Sequence, residues 1–209
     1  MKTGGRADTI GVVLAGGRSQ RMGGGDKGLL AIGGRSLLER VIARLAPQCA
    51  GVVVNANGDP ARFSAFALPI AADSVPGFAG PLAGLLAGLD WAAAHHPEMP
   101  QVASVSGDCP FLPRDLVSRL AEQMQSAGAP MAIARSGARL HPTVGLWDVS
   151  LRENLREAVL QRGLRRVQDW LQSFDYVVAD WETTPIDPFF NVNRPEDLQR
   201  AVQFAGLVD

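Results

Sequence analysis

Lysine is almost missing from this sequence. Of the 20 basic residues in 209, only Lys2 and Lys27 are lysines, and arginine carries the rest of the positive charge. A lysine ammonium is a compact point charge, whereas a guanidinium is a planar fork. The one internal lysine therefore marks a place where a point charge is wanted, with chance survival as the bland alternative. Cysteine is equally scarce: Cys49 and Cys109 have no C-x-x-C spacing, which excludes a zinc ribbon and a disulfide scaffold. No apolar run is long enough to cross a membrane, and the start, MKTGGRADT, has no apolar stretch of the signal-peptide kind, so a cytoplasmic protein is expected. The net charge of −1 and the lack of a dense basic run argue against a nucleic-acid partner. Neither an internal repeat nor a linker is visible.

What is present is an ordinary globular composition, 46% apolar and 20% charged, with enough length for one sizeable core. The expectation is a frayed tail over 1–9 and a single domain over 10–209. Apolar β-branched runs in TIGVVLAGG, GVVVNAN, QVASVSGD and, more weakly, ALPIAADS predict strands. Helical periodicity follows in SLLERVIARLAP, with Ser36 as N-cap and Pro47 beyond its end, in GPLAGLLAGLDWAAAHH, whose glycines predict close packing, and in PRDLVSRLAEQM. That alternation is the pattern of a parallel sheet covered by helices on both sides. Beyond residue 129 the rhythm changes to two strands joined by a turn at 136–139, helices near 151–160 and 167–171, a strand in FDYVVAD and a last helix after Pro195. This half is expected to complete the same sheet. Ligands of open α/β sheets lie outside the carboxyl ends of the strands, so Lys27, Asn55, Asp73 and Asp108 are expected on one rim.

The loop LAGGRSQRMGGGDKGLL, from Leu14 to Leu30, is built for phosphate, and three kinds of loop compete for it. A Walker A loop needs lysine directly after glycine and a hydroxyl next, but Asp26 precedes Lys27 and Gly28 follows. The dinucleotide fingerprint occurs literally at Gly23, Gly25 and Gly28, yet it starts well after the apolar run instead of directly behind it. The third is a long loop in which backbone N–H groups of Ala15, Gly16 and Gly17 approach a nucleotide while Arg21 and Lys27 reach over its phosphates.

That third pattern belongs to nucleotidyltransferases, and with VVVNAN, DSVPGFAGPLAG, GDCPFLP, HPTVGL and FFNVNRPEDL in order the chain resembles the molybdenum cofactor guanylyltransferases from Ile10 to Val202. The resemblance implies a three-layer αβα fold with a mostly parallel, Rossmann-like sheet of the nucleotide-diphospho-sugar transferase type. It also implies GTP, Mg2+ and transfer of GMP to the phosphate of Mo-molybdopterin, giving the guanine dinucleotide cofactor. LAGG and NVN favour guanine over the cytidylyl relatives; a sugar-phosphate nucleotidyltransferase and a non-catalytic cofactor-delivery protein are the rivals. Residues 10–128 would then bind GTP and 129–209 would form the acceptor side of a monomer. Molybdoenzyme chaperones or cofactor-insertion proteins would be its macromolecular partners.

By the same resemblance Lys27 neutralises triphosphate charge, Arg21 assists the leaving pyrophosphate, and Asp108 holds Mg2+ and contacts the nucleotide. Leu14, Ala15, Gly16, Gly17, Asn55, Asp73 and Gly80 line the nucleotide, and Asn191 and Asn193 lie near the metal or the acceptor phosphate. Each has a plainer alternative. For Asp108 it is an N-cap or turn residue before Pro110, for Asn55 a turn former and for Asp73 a cap on the following loop. Gly80 serves helix packing as well as ligand approach, and the two asparagines, placed on one face by strand alternation, are equally placed to cap the helix after Pro195. Arg162, Arg165 and Arg166 form a cluster able to attract the pterin phosphate or to cover a solvated helix end. Cys109 stands where the family commonly has threonine and has no histidine motif to make it a nucleophile. His95, His96 and His141 carry no ligand spacing. The triple glycine at 23–25 predicts a mobile arm carrying Arg21 and Lys27.

Overall fold

The apolar run Thr9–Leu14 (β1) is an interior strand of a seven-stranded sheet, hydrogen-bonded on both sides and buried along nearly its whole length. The computed structural model describes residues 8–16, 27–75 and 80–208. Gly17, Arg18, Arg21 and the glycines at 23–25, and with them the mobile-arm expectation, lie outside the described residues. The strands Gly51–Asn55 (β4) and Gln101–Ser106 (β6) flank β1, and Ile70–Ala71 (β5) pairs with β4, all in parallel. Met131–Ser136 (β7), Arg139–Asp148 (β8) and Val177–Trp181 (β9) extend the sheet, whose order is β5-β4-β1-β6-β8-β7-β9. Both halves of the chain thus share one sheet. Only β8 runs against the others, because it returns from β7 through a tight turn and inserts beside β6. The β7–β8 register shifts between Ile133 and Ala134, beside Pro142, a residue without an N–H for the ladder.

Helices cover both faces. Leu37–Leu45 (α1) and Leu116–Ala127 (α3) bury Leu38, Val41, Leu45, Leu120 and Met124 against one side, together with Val13, Val54 and Val105. Pro81–His95 (α2), Arg152–Leu160 (α4) and Val167–Leu171 (α5) cover the other over Ile10, Val12, Val102 and Trp147. This is the expected three-layer αβα arrangement. Ser36 caps α1 as its sequence predicts: its hydroxyl accepts from the Glu39 N–H at 3.1 Å, and Glu39 reaches back to the Ser36 N–H at 2.5 Å. The glycines of α2 are packing devices, since a Cβ on Gly88 would come within 2.7 Å of Val12. The sequence reading lacked a small antiparallel ribbon, Ala31–Ile32 (β2) with Arg35–Ser36 (β3). Two residues per strand leave no alternation to detect. That ribbon, Phe111 and Pro195–Val208 (α6) build a third apolar cluster around Ile32, Leu37, Val192 and Ala201. No helix among the described residues is long and apolar enough to cross a membrane.

His141, to which the sequence assigns no chemistry, is a core residue. Its Nε2 lies 2.7 Å from Ser136 Oγ, and its ring packs at 4.7 Å against Phe189. Burial pushes its pKa down from 6.5 to about 4; Asp187 opposes that shift and Arg139 adds to it. The folded state holds the neutral ring, so the unfolded chain binds the extra proton between those two values. Stability from this site is complete above about pH 6.5 and drains away as the pH falls toward 4. His141→Gln keeps a partner for Ser136 and removes the titration. Its melting temperature should fall less steeply than the parent's across that window, and an unchanged slope contradicts the assignment.

Candidate active site

Leu14, the last residue of β1, is in register with Asn55 at the end of β4 and with Ser106 at the end of β6. The strands stop together, and their following residues share one rim. Two ladder-like bonds continue past the ends: the Ala15 N–H donates to the Asn55 carbonyl at 2.9 Å, and the Gly107 N–H donates to the Leu14 carbonyl at 3.0 Å. The Ala15 N–H is therefore already used, and the expectation that it faces a nucleotide is corrected: the sheet takes that donor. Gly16 follows; among the described residues a Cβ there would make only an ordinary contact with Asn55 Oδ1, at 3.7 Å.

On one side of this backbone bridge stands a charged cluster. Lys27 opens a short turn, Lys27–Leu29, and its Nζ donates to Asp108 Oδ2 at 2.6 Å and to Asn193 Oδ1 at 2.5 Å. The other carboxylate oxygen of Asp108 accepts from Ser106 Oγ at 2.6 Å and Asn191 Nδ2 at 2.9 Å. Lys27 and Asp108 are mostly shielded, at 15% and 18% side-chain exposure, where a pair attracts more strongly than in open water. Residues 166 apart in sequence thus meet on one carboxylate–ammonium pair.

Asn191 and Asn193 reach this pair without being in a strand, which corrects the strand alternation expected for them. The Val192 N–H donates to the Asp108 carbonyl at 3.0 Å, and the Val192 side chain is fully buried in the third apolar cluster. Of the flanking asparagines, Asn191 then meets the Asp108 carboxylate and Asn193 the Lys27 ammonium. Capping of α6 falls to Asp197, whose carboxylate accepts from the N–H groups of Asn193 and Arg194.

On the other side of the bridge lies a neutral–acidic cluster. Asn55, 3% exposed, donates from Nδ2 to Asp73 Oδ1 at 2.9 Å and to the Ala71 carbonyl at 3.0 Å. Asn57, which the sequence reading lacked, donates to Asp73 Oδ2 at 2.7 Å and accepts from the Asp73 N–H at 2.8 Å. Both oxygens of Asp73 are held in a fixed direction. Gly84 of α2 makes room for Asn55: a Cβ there would lie 2.3 Å from Asn55 Oδ1 and 3.1 Å from Leu14 Cδ2. Gly84→Ala should leave the helix intact, since alanine is the better helix former. It should displace Asn55 and, on the expectation that Asn55 and Asp73 line the nucleotide, weaken nucleotide binding about tenfold, the scale of one lost hydrogen bond. Calorimetric titration with the nucleotide checks this, and an unchanged affinity contradicts it.

Gly80 has a packing role. It precedes α2, and a Cβ on it would lie 2.9 Å from the Arg165 carbonyl oxygen. The two sequence features AGPLAG and RGLRRVQ are therefore neighbours in space. Arg162 reaches Ser173 Oγ at 3.4 Å and 3.5 Å. Cys109 is fully buried, its thiol directed at the Asp108 carboxylate and the Phe189 carbonyl, both at 3.8 Å. Burial, with the Asp108 charge adding to it, pushes that thiol well above its usual range, which removes it as a nucleophile.

Among the described residues no three His, Cys, Asp or Glu side chains converge to cage a metal. What the rim offers is one carboxylate, an amide oxygen and a hydroxyl, all hard oxygen donors, and two of them already hold the cationic Lys27 Nζ. Such a set fits a divalent cation that takes its remaining ligands from water and phosphate oxygens.

Residues 11–177 match the family model of the MobA-like NTP transferase domain. The molybdenum cofactor guanylyltransferase of Nitrobacter hamburgensis is 52% identical over 199 residues, 95% of each chain. That of a Bradyrhizobium species is also 52% identical over 199 residues, covering 95% of this chain and 94% of its own. Among solved structures, the molybdopterin-guanine dinucleotide biosynthesis protein A of Archaeoglobus fulgidus has the same fold. Its TM-score is 0.73 over 95% of this chain and 99% of its own, at 23% identity.

Proposed function

This chain belongs to the molybdenum cofactor guanylyltransferase family of MobA-like NTP transferases, and from that premise we infer that it transfers GMP from GTP to the terminal phosphate of Mo-molybdopterin. The observation that carries the site assignment is the junction of Lys27, Asp108, Asn191 and Asn193 at the sheet rim. A terminal phosphate oxygen of the acceptor attacks the α-phosphorus of GTP; the bond to the β-phosphate oxygen breaks, and pyrophosphate leaves with the electron pair. Because the acceptor phosphate is ionised at neutral pH, no strong general base is needed. Phosphoryl chemistry of this kind is accelerated by positioning and charge neutralisation.

Lys27 supplies neutralisation from the chain itself, held ready by Asp108 and Asn193. Arg21, in the same loop, is assigned to the leaving pyrophosphate. Asp108 would hold the divalent ion, which we assign as Mg2+, with the Asn193 amide oxygen on the same junction; when bound it would offset charge on the triphosphate. Asn191 fixes the second carboxylate oxygen. To Asp73, steered by Asn55 and Asn57, we assign the guanosine end, where guanine presents N–H donors and a carboxylate accepts them. We assign Leu14 and Gly16 to the backbone floor, with Gly17 as the next residue of the same motif, and Gly80 precedes α2. We assign residues 10–128 to the nucleotide and 129–209, with Arg162, Arg165 and Arg166, to the acceptor. Molybdoenzyme chaperones or insertion proteins are the recipients we expect for the product of this monomer.

A cytidylyltransferase of the same pathway is the nearest rival. Calorimetric titration with GTP and CTP in the presence of Mg2+ separates the two: GTP should bind at least tenfold more tightly. Equal or tighter CTP binding overturns the guanine assignment.

A further inference from the structure

Two serines stand on the same face of β6 and put their hydroxyls to different uses. Ser104, 1% exposed, donates to the Thr143 carbonyl at 3.0 Å and accepts from Trp147 Nε1 at 2.8 Å, which ties β6 to β8 inside the core. Ser106, the last residue of the strand, donates at 2.6 Å to Oδ1 of Asp108 and so reaches the charged junction at the rim. The backbone around that aspartate is pinned on three sides. The Gly107 N–H donates to the Leu14 carbonyl at 3.0 Å, the Cys109 N–H closes a turn onto the Ser106 carbonyl at 3.2 Å, and the Asp108 carbonyl accepts from the Val192 N–H at 3.0 Å. What the pinned backbone leaves to settle is rotation of the carboxylate about its last side-chain bond, a broad and roughly two-fold torsion in any aspartate.

Ser106 and Asn191 settle it, because both donate to Oδ1, and Oδ2 is the oxygen turned to Lys27. An oxygen that already accepts two hydrogen bonds has used the lone pairs a cation would take, so Asp108 keeps one free ligand atom. That difference separates divalent ions. Ca2+ accepts both oxygens of one carboxylate into its large, flexible shell, whereas Mg2+ demands a near-ideal octahedron. We propose that Ser106 is a positioning residue that limits Asp108 to one coordinating oxygen and thereby selects a small divalent cation over Ca2+. The proposal rests on the assignment of a divalent ion to Asp108 made above, and it goes further by naming what sets the choice of ion.

The test follows Mn2+ binding to the full chain by the electron paramagnetic resonance signal of the free ion, with the protein in excess over GTP and no acceptor present. Mg2+ and Ca2+ are the competitors, and the readout is the ratio of Ca2+ to Mg2+ needed to displace half of the Mn2+. Ser106→Ala should weaken Mn2+ binding about tenfold and lower that ratio about threefold or more, because Mg2+ loses more than Ca2+ does. Its melting temperature should stay within a few degrees of the parent's. Ser106→Thr keeps the hydroxyl and should restore both values. Asn191→Ala removes the other donor to Oδ1 and should move the ratio in the same direction, which keeps the test open if Ser106→Ala does not fold. A ratio unchanged in Ser106→Ala and Asn191→Ala, with or without an equal weakening of all three ions, overturns the proposal. The underlying assignment fails separately: the ratio in Asp108→Asn would then equal the parent's, and the proposal would fall with it.

Discussion

Asp108→Asn should lower turnover with GTP and Mg2+ by about a thousandfold or more while the protein stays folded. The carboxylate receives donors only: Lys27 Nζ and Asn191 Nδ2, the Ser106 hydroxyl, and the Cys109 thiol at long range. An asparagine amide has one acceptor and one donor end, so whichever way it turns, one of these donors meets an N–H. The stability penalty of such a mismatch is about 1–3 kcal/mol, a fall of several degrees in melting temperature for a chain of this size. The catalytic penalty is larger, because the negative charge that orders Lys27 and that a divalent cation requires is gone. Rate measurement at saturating GTP, paired with a thermal melt, separates the two effects. A variant that melts lower yet turns over normally contradicts the role given to Asp108.

Lys27→Ala should cost about a hundredfold or more in kcat/KM, and Lys27→Arg should fail to restore it. The ammonium nitrogen sits 2.6 Å from one oxygen and 2.5 Å from another, on residues brought together from the two halves of the chain. A guanidinium keeps the charge, but its planar fork is too broad to enter between two oxygens spaced for a single nitrogen. Steady-state kinetics of the two variants side by side decide the point. Full activity in Lys27→Arg would show that charge alone suffices and that the scarcity of lysine elsewhere in the chain is incidental.

Much of this was legible in the sequence because the controlling signals are local. The apolar runs that became β1, β4 and β6, the Ser36 cap of α1 and the glycine spacing of α2 all act within a few residues. Strand ends then place Asn55 and Asp108 on one rim. The β7–β8 turn was equally visible, but insertion of β8 beside β6 depends on pairing between distant segments, which no local pattern encodes. Asn57 and Ser106 are small polar residues whose value lies in what they touch. A spacing argument had reason to find Ser106, two positions before Asp108, and little reason to find Asn57. Asn191 and Asn193 were placed on one face for the wrong reason: burial of Val192, not strand pleating, turns them toward the Lys27–Asp108 pair. Of the two readings of Gly80, ligand approach and helix packing, the Arg165 carbonyl against it supports packing.

The most direct test of the central claim is a single-pot reaction of the purified chain with GTP, Mg2+ and molybdopterin carrying molybdenum, following pyrophosphate release and the guanine dinucleotide product together. The account predicts that one pyrophosphate appears per dinucleotide formed, that neither appears without the acceptor, and that CTP substitutes poorly. Nucleotide binding with no pyrophosphate release in the presence of the acceptor, or faster transfer from CTP than from GTP, would contradict it.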